Sequence, residues 1–508
     1  MDKFVRNNGP DEGPILVDNL LALFRSYRTE NIILGLELLE AQPVPEAALT
    51  DLLALATLSG THAVRKRAEA FLDDILPRRL RKELADELDF RKFSGADRKE
   101  WYLRMRRKHT VDGVILANYM YHFQRMSMDF LLRYGMRDPG DFAVRFVQNG
   151  QLDLSGQQLD EVPENLRDLE DVTALNLSGN RIEAVGYAIS RMSALQELDL
   201  SRNQIERMLP MVSRLSELRV LHLNGNRLRK LTPGLSRLRK LHTLDLSDNL
   251  LEEVPSYLDE LGQLRTLHLS RNRVKAIPAG FRHLQQLEEL RMDQNLVAFL
   301  PAGIGQLQQL KRLNLFGNPV EELPEEIGEL GALRELVLSD TRLENLPESI
   351  GGMQSLRVLD LYDCQLKDLP MSMGRLQGLR QLRLGRNRLT KLPHGLFDLW
   401  QLNLLDLSEN YFKQLDPRVG HMLRLSRLEI AGNDLRELPD SLVQARQLEF
   451  LDVSGNALES LPARIGDLSR LRELDLHGNA LKRLPISFAN LHNLRWLSIA
   501  QNRLREFP

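Results

Sequence analysis

The sequence predicts an α/β solenoid of about sixteen coils preceded by an all-α helical domain, and three observations predict it. Asparagine recurs on a 23-residue grid, at 180, 203, 226, 249, 272, 295 and 318 and again at 387, 410, 433, 456, 479 and 502. The three remaining grid points between 157 and 502 hold Gln157, Thr341 and Cys364. Around each point apolar residues keep a fixed pattern, as in Leu195, Leu198, Leu200, Asn203 and Ile205. Ahead of residue 146 the grid is absent and apolar residues follow helical spacing instead. Copies that repeat without insertion or deletion fix the architecture, because one repeat cannot bury its apolar side alone.

Within each copy the L-x-L stretch alternates inward leucines with outward polar residues, which is strand periodicity. Stacked copies then share a leucine interior and pair their strands into a parallel sheet, at ~4.8 Å per strand. The grid asparagine falls where the chain turns inward. Its amide both donates and accepts, so it suits backbone groups of neighbouring coils that would otherwise be buried unpaired. Thr341 and Cys364 share that position and read as structural. Proline recurs six residues past the grid point, for example at Pro255, Pro278, Pro301, Pro324, Pro347 and Pro370. Lacking an N–H and holding φ fixed, it suits the start of a short helical turn on the return leg. The following I-G-x-L, as in Ile350, Gly351 and Met353, packs that leg onto the core.

The segment before the grid reads as helices. Leu16, Leu20, Leu21, Phe24 and Tyr27 recur at helical spacing, as do Ile32, Ile33, Leu36 and Leu39 after Thr29. Pro43 and Pro45 introduce a third helix that stops at Gly60, and Thr61 serves as N-cap for residues 63–76. Further helices are expected over 78–89, 97–107 and 111–134, with Pro139 and Gly140 at the boundary. Residues 1–145 therefore form a helical, HEAT-like capping domain, and residues 146–508 form the solenoid, whose open end needs a cover. Arg91, Lys92, Arg98, Lys99, Arg104, Arg106, Arg107 and Lys108, interleaved with Phe93, Trp101 and Tyr102, would suit RNA or acidic lipid. Asp89, Asp97 and Glu100 dilute that charge, so an amphipathic helix is the preferred reading.

Charge gives 23 Lys/Arg against 22 Asp/Glu in residues 1–150 and 45 against 48 in the remainder. Neither part is a polycation, which disfavours nucleic acid as the principal partner. One cysteine in 508 residues excludes an internal disulfide framework. The polar, acidic start has no apolar h-region, and no stretch of 18 uncharged apolar residues would span a membrane. A cytoplasmic location is expected.

Motifs for chemistry are missing. There is no phosphate-binding G-x-x-x-x-G-K-[ST] loop, no H-E-x-x-H and no G-x-S-x-G. His222 and His268 share a strand column two coils apart, too far to share a zinc ion without other ligands. Asp199, Asp245, Asp360, Asp406, Asp452 and Asp475 recur as part of the repeat and read as a solvated face. Neither an enzyme nor a cofactor or metal site is expected.

Recognition should therefore lie where the repeat is broken. The column two residues before each grid point is mostly serine but departs at Asp293, Phe316, Tyr362 and Gly385. Four before the grid, the same coils carry Arg291, Asn314, Val337, Asp360 and Arg383, with Asp340, Asp363 and Arg386 alongside. Two exposed aromatics among charged neighbours have the anchor-and-rim makeup of an interface hot spot. Leu404, Phe450 and Trp496, six before the grid, form a second ridge. The chain stops at Phe507-Pro508 midway through a coil, which predicts self-association at that end.

The motif L-P-x-x-I-G-x-L-x-x-L-x-x-L-D-L-S-x-N-x-L, carried by Leu461–Leu481 with His477 at the serine position, resembles the intracellular Ras-group leucine-rich repeats of Shoc2-like proteins and many bacterial relatives. The resemblance covers residues 150–508. It implies a leucine-rich repeat horseshoe that binds another protein on its concave face in signalling or regulation, with a small GTPase among the implied partners. The phosphatase-docking motif of that group needs a basic residue before V-x-F. Ala143-Val144-Arg145-Phe146 lacks it, so that activity is not carried over. The alternative is an effector whose helical domain acts on a target selected by the repeats.

Overall fold

A computed structural model describes residues 20, 23–24, 29–40, 44, 48–58, 61–73 and 147–505, apart from 163–165, 167–168, 170, 186 and 209. The helices expected at 78–89, 97–107 and 111–134, the basic patch at 91–108, the domain boundary at 145/146, the motif at 143–146 and the end at 507–508 lie outside these residues. The chain divides into two compact units, Met1–Leu195 and Gln196–Pro508.

In the first unit, α1 (Thr29–Glu40), α2 (Leu49–Leu58) and α3 (His62–Leu72) match three of the expected helices. Leu36, Leu39, Leu52, Leu53, Val64, Ala68 and Leu72 are buried, the outcome of apolar residues three and four apart on each helix. Arg67 on α3 pairs with Glu37 and Glu40 on α1, at 3.4 and 2.7 Å. Thr61 sits extended at the N-cap position as expected, and its carbonyl accepts from Arg65 N at 3.0 Å. The same unit holds the strand Gln151–Asp153, antiparallel to Val147–Gln148 and parallel to Ala174–Asn176.

The second unit is a parallel sheet of three-residue strands, one per repeat, from Glu197–Asp199 to Trp496–Ser498. Each strand pairs with the next at a shift of one period, so that Leu313 faces Leu336 and Leu336 faces Leu359. The inward leucines of the central coils, such as Leu313, Leu315, Leu336, Leu338, Leu359 and Leu361, are fully buried. At ~25 cal/mol per Å2 of apolar surface removed from water, each contributes about 2 kcal/mol, and the stacked column is the main source of stability.

The asparagine ladder works as the sequence predicts. Asn318, 1% exposed, donates Nδ2 to the Met292 and Leu315 carbonyls at 2.9 Å, and its Oδ1 accepts from Val297 N at 3.0 Å. Asn387 and Asn410 repeat this set one coil apart. At the two interrupted points Thr341 Oγ1 and Cys364 Sγ lie 3.2 Å apart, and the thiol donates to the Leu338 carbonyl at 3.3 Å. Neither side chain accepts from Val320 N or Leu343 N, the bonds an asparagine Oδ1 would make there. Burial pushes the Cys364 thiol up to about 11, so at neutral pH it stays protonated and poorly nucleophilic. Iodoacetamide is expected to leave Cys364 unmodified in the native protein and to alkylate it in denaturant, as read by intact mass.

Two local features depart from expectation. The return legs are 3-10 turns, and prolines six past the grid point, such as Pro278, Pro301 and Pro324, sit one residue before them rather than at their first residue, whereas Pro233 and Pro417, seven past it, open theirs. Pro324 is extended, with φ −69° and ψ 153°, and its carbonyl accepts from Ile327 N at 3.0 Å. Proline's fixed φ fits this extended cap as well as it fits a helix. Further, the residue just before every described grid point adopts a left-handed backbone. Glycine fills it in some coils, as at Gly225, Gly317 and Gly432, but Arg202, Asp248, Arg271, Gln294, Asp340, Asp363, Arg386, Glu409 and Gln501 occupy it in others, with φ of 48–55°. A side chain there costs roughly 1 kcal/mol relative to glycine.

Candidate functional site on the strand face

The period-2 alternation of each strand turns its first and third residues outward, away from the leucine column. The residues two before each grid point extend the same surface. All the candidate residues predicted from sequence in coils 289–386 sit on this face or at the turn beside it.

Its polar members are held in a lattice between coils. Asp293 accepts from Ser270 Oγ at 2.5 Å and from Asn314 Nδ2 at 3.3 Å. Asn314 Oδ1 in turn accepts from Phe316 N at 3.0 Å. Asp360 accepts from Tyr362 N at 3.1 Å and pairs with Arg383 at 3.2 Å. Arg386 bridges Asp363 and Glu409, at 3.2 and 2.9 Å, across the left-handed turns. Val337 is half-buried between these groups, while Arg291, Asp340, Arg383 and Arg386 are exposed.

Phe316 and Tyr362 are half-buried rather than fully exposed. The reason for Tyr362 is its neighbour. A Cβ at Gly385 would stand 2.8 Å from two atoms of the Tyr362 ring, so the ring lies over the bare backbone of the next coil. Burial raises the Tyr362 hydroxyl above its ordinary pKa, with Glu409 adding to the effect. Between the two aromatics runs Ser339, buried, whose carbonyl accepts from Gly317 N at 3.0 Å.

Sequence reading missed the most heavily bonded group of the face, Glu289. It is 5% exposed and takes Arg291 at 2.5 Å, His268 at 3.2 Å and a bidentate contact from Arg312. Burial alone would raise the Glu289 carboxyl. The Arg312 hydrogen bond and the charges of Arg291, Arg312 and His268 outweigh it and hold the carboxyl below its ordinary value. His268 is thus engaged by Glu289, with Asp245 at 3.8 Å on its other side, not by His222. The signal was present in the sequence: Arg312 lies one period after Glu289 and Arg291 two residues after it.

The second ridge is one strand column, with Leu404, Arg427, Phe450, Glu473 and Trp496 in register. Leu404 and Phe450 are half-buried and Trp496 is 48% exposed. Arg427 stacks 3.5 Å from the Phe450 ring centroid and bonds Glu429 at 2.5 Å. Among the described residues no group of three or more His, Cys, Asp or Glu is placed to hold a metal, and no helix is long and apolar enough to cross a membrane.

This surface of short in-register strands, leucine interior and asparagine ladder defines a repeat protein that presents one face for recognition. A family description of "leucine-rich repeat region" matches residues 188–299 and 294–388. A second, "leucine rich repeat", matches 151–208, 377–435 and 446–504. The chain belongs to the leucine-rich repeat proteins, which generally mediate protein–protein interaction on a typically non-catalytic scaffold. It is similar to a leucine-rich repeat protein of Leptospira interrogans, with 28% identity over 73% of this chain and 94% of that one, at a TM-score of 0.68. A TDR receptor is 28% identical over 72% of this chain and 66% of the receptor, at a TM-score of 0.63. The functional domain of InlJ from Listeria monocytogenes shares the fold, with 21% identity over 68% of this chain and 70% of that one, at a TM-score of 0.58. No curated protein matches the sequence.

Proposed function

We propose that this protein is a cytoplasmic, non-catalytic scaffold of the Ras-group, Shoc2-like kind from a bacterium, and that it binds a partner protein on the strand face of its central coils in signalling or regulation. The observation that carries this reading is the pair of half-buried aromatics, Phe316 and Tyr362, in a column that is otherwise mostly serine, set among the ion pairs of Asp360 with Arg383 and Asp363 with Arg386. Ordered aromatics among paired charges, where the repeat itself calls only for a small polar residue, are the pattern of a surface kept for contact rather than for stability. Phe316 and Tyr362 supply apolar anchors already ordered on the sheet, so little side-chain entropy is lost on binding. The paired charges around them supply a rim that excludes mismatched partners.

The test is affinity capture with the intact chain and with the double variant Phe316→Ala/Tyr362→Ala, followed by mass spectrometry. Each anchor removed costs ~2 kcal/mol of binding, which together is a loss of about a thousandfold. The captured partner should vanish from the variant while its melting temperature holds. Unchanged capture would dispose of the proposal.

A further inference from the structure

The central and later coils of the strand face differ in one electrostatic respect. In the central coils three carboxylates have a cation beside them: Glu289 with Arg291 and Arg312, Asp360 with Arg383, Asp363 with Arg386. Further along, the column four before the grid reads Asp406, Glu429, Asp452 and Asp475, whose strands are paired in register. Their three spacings span ~14 Å at ~4.8 Å per strand. Among the described residues no lysine or arginine lies within ion-pair distance of Asp406, Asp452 or Asp475. One oxygen of each is bound to the backbone N–H two residues on, at 2.8–2.9 Å, which fixes the side chain in place.

The outward residues of the five strands from Leu404 to Ser498, with those two beyond each strand, include five carboxylates (Asp406, Glu429, Asp452, Glu473, Asp475) and one arginine (Arg427). That is a local net charge of 1 − 5 = −4, against −2 for the whole chain. Beside the acidic column stands the apolar ridge of Leu404, Phe450 and Trp496. Trp496 is open to solvent over nearly half its surface, and Phe450 already carries one guanidinium, that of Arg427, on its ring. The ridge thus shows the mode of contact its aromatics favour, a cation over a π face.

Resting on the reading of the strand face as the binding surface, we propose that its C-terminal coils dock a cationic protein segment, with Arg or Lys side chains on the Asp452/Asp475 column and apolar side chains against Phe450 and Trp496. A row of held but unpaired carboxylates gains most from a partner that brings the missing charges. Arginine suits it best, since one guanidinium meets a carboxylate with two N–H groups and stacks on an aromatic ring as well. Nucleic acid and anionic membrane are repelled by the same column.

The probe is a set of three fluorescein-labelled 12-residue peptides with one shared Leu/Trp frame and Arg, Gln or Glu at the remaining positions. Anisotropy with the full chain should show the Arg peptide bound at least tenfold tighter than the Gln peptide, weakening as salt is raised, and the Glu peptide unbound. Asp452→Asn/Asp475→Asn should remove at least fivefold of the Arg peptide's affinity at an unchanged melting temperature, and Trp496→Ala should weaken the Arg and Gln peptides alike. Phe316→Ala/Tyr362→Ala should leave these values unchanged, so failure of the central-coil reading and failure of this one are told apart. Equal binding of the Arg and Gln peptides, indifference to Asp452→Asn/Asp475→Asn, or chain dimers that this variant dissociates would overturn the assignment.

Discussion

Gly328→Ala is expected to destabilise the protein by about 3 kcal/mol, because the return-leg turns of neighbouring coils meet backbone against backbone at that point. A Cβ there would fall inside the van der Waals envelope of the Ser349 carbonyl oxygen and 2.7 Å from its carbon. Neither atom belongs to a flexible side chain, so relief requires moving a whole coil. Gly351 meets Ser372 in the same way one repeat later. Gly262 is the control, since nothing lies within 4 Å of its would-be Cβ. Denaturant unfolding of Gly328→Ala and Gly262→Ala side by side checks this: only the first should lower the midpoint. Equal midpoints would mean that the coils are not packed turn to turn.

The second large effect concerns the ladder. Asn318→Ala strands the Val297 N–H and removes the donor to the Met292 and Leu315 carbonyls, all inside the core. Leaving buried backbone groups unpaired costs ~1–3 kcal/mol each, so a loss of roughly 4 kcal/mol is expected. In a stack whose coils touch only their neighbours, that loss divides the unit rather than spreading through it. The reverse change is as informative. Thr341→Asn with Cys364→Asn should restore partners to Val320 N and Leu343 N and raise stability by about 2 kcal/mol. Calorimetry of both variants reads the two signs. If Asn318→Ala were neutral, or the double asparagine variant destabilising, the ladder would not be what holds these turns.

Those two interruptions stand at Thr341 and Cys364, immediately after Asp340 and Asp363. Ladder bonds are given up, and left-handed turns are filled with charged side chains, in the coils that also carry Val337 and Tyr362. The ladder rule is thus broken within the coils where function is proposed.

Much of this was legible in the sequence because a fixed period turns sequence separation into spatial adjacency. Adding 23 to a residue number names its neighbour in the next coil, which is why Lys311 meets Glu288 and Lys367 meets Glu344. The strand register, the inward leucines and the asparagine bonds followed from that rule. Other features did not, for identifiable reasons. A non-glycine residue in a left-handed turn leaves no mark in composition, so Asp363 and Arg386 read only as surface charge. Tyr362 looked exposed because the bare backbone of Gly385, which seats its ring, matters only in three dimensions. Glu289 was overlooked because its column six before the grid was searched for apolar residues and not for ion pairs. Whether proline caps a 3-10 turn or begins it turns on a single ψ angle that proline itself does not set.

Site-specific photocrosslinking tests the central claim most directly. Benzoylphenylalanine placed at 316 or at 362, on the strand face, is compared with the same probe at the exposed return-leg position of Met371. Crosslinks to a captured partner from 316 and 362 and none from 371 are predicted. A partner that crosslinks from 371 and not from the strand face would contradict the account.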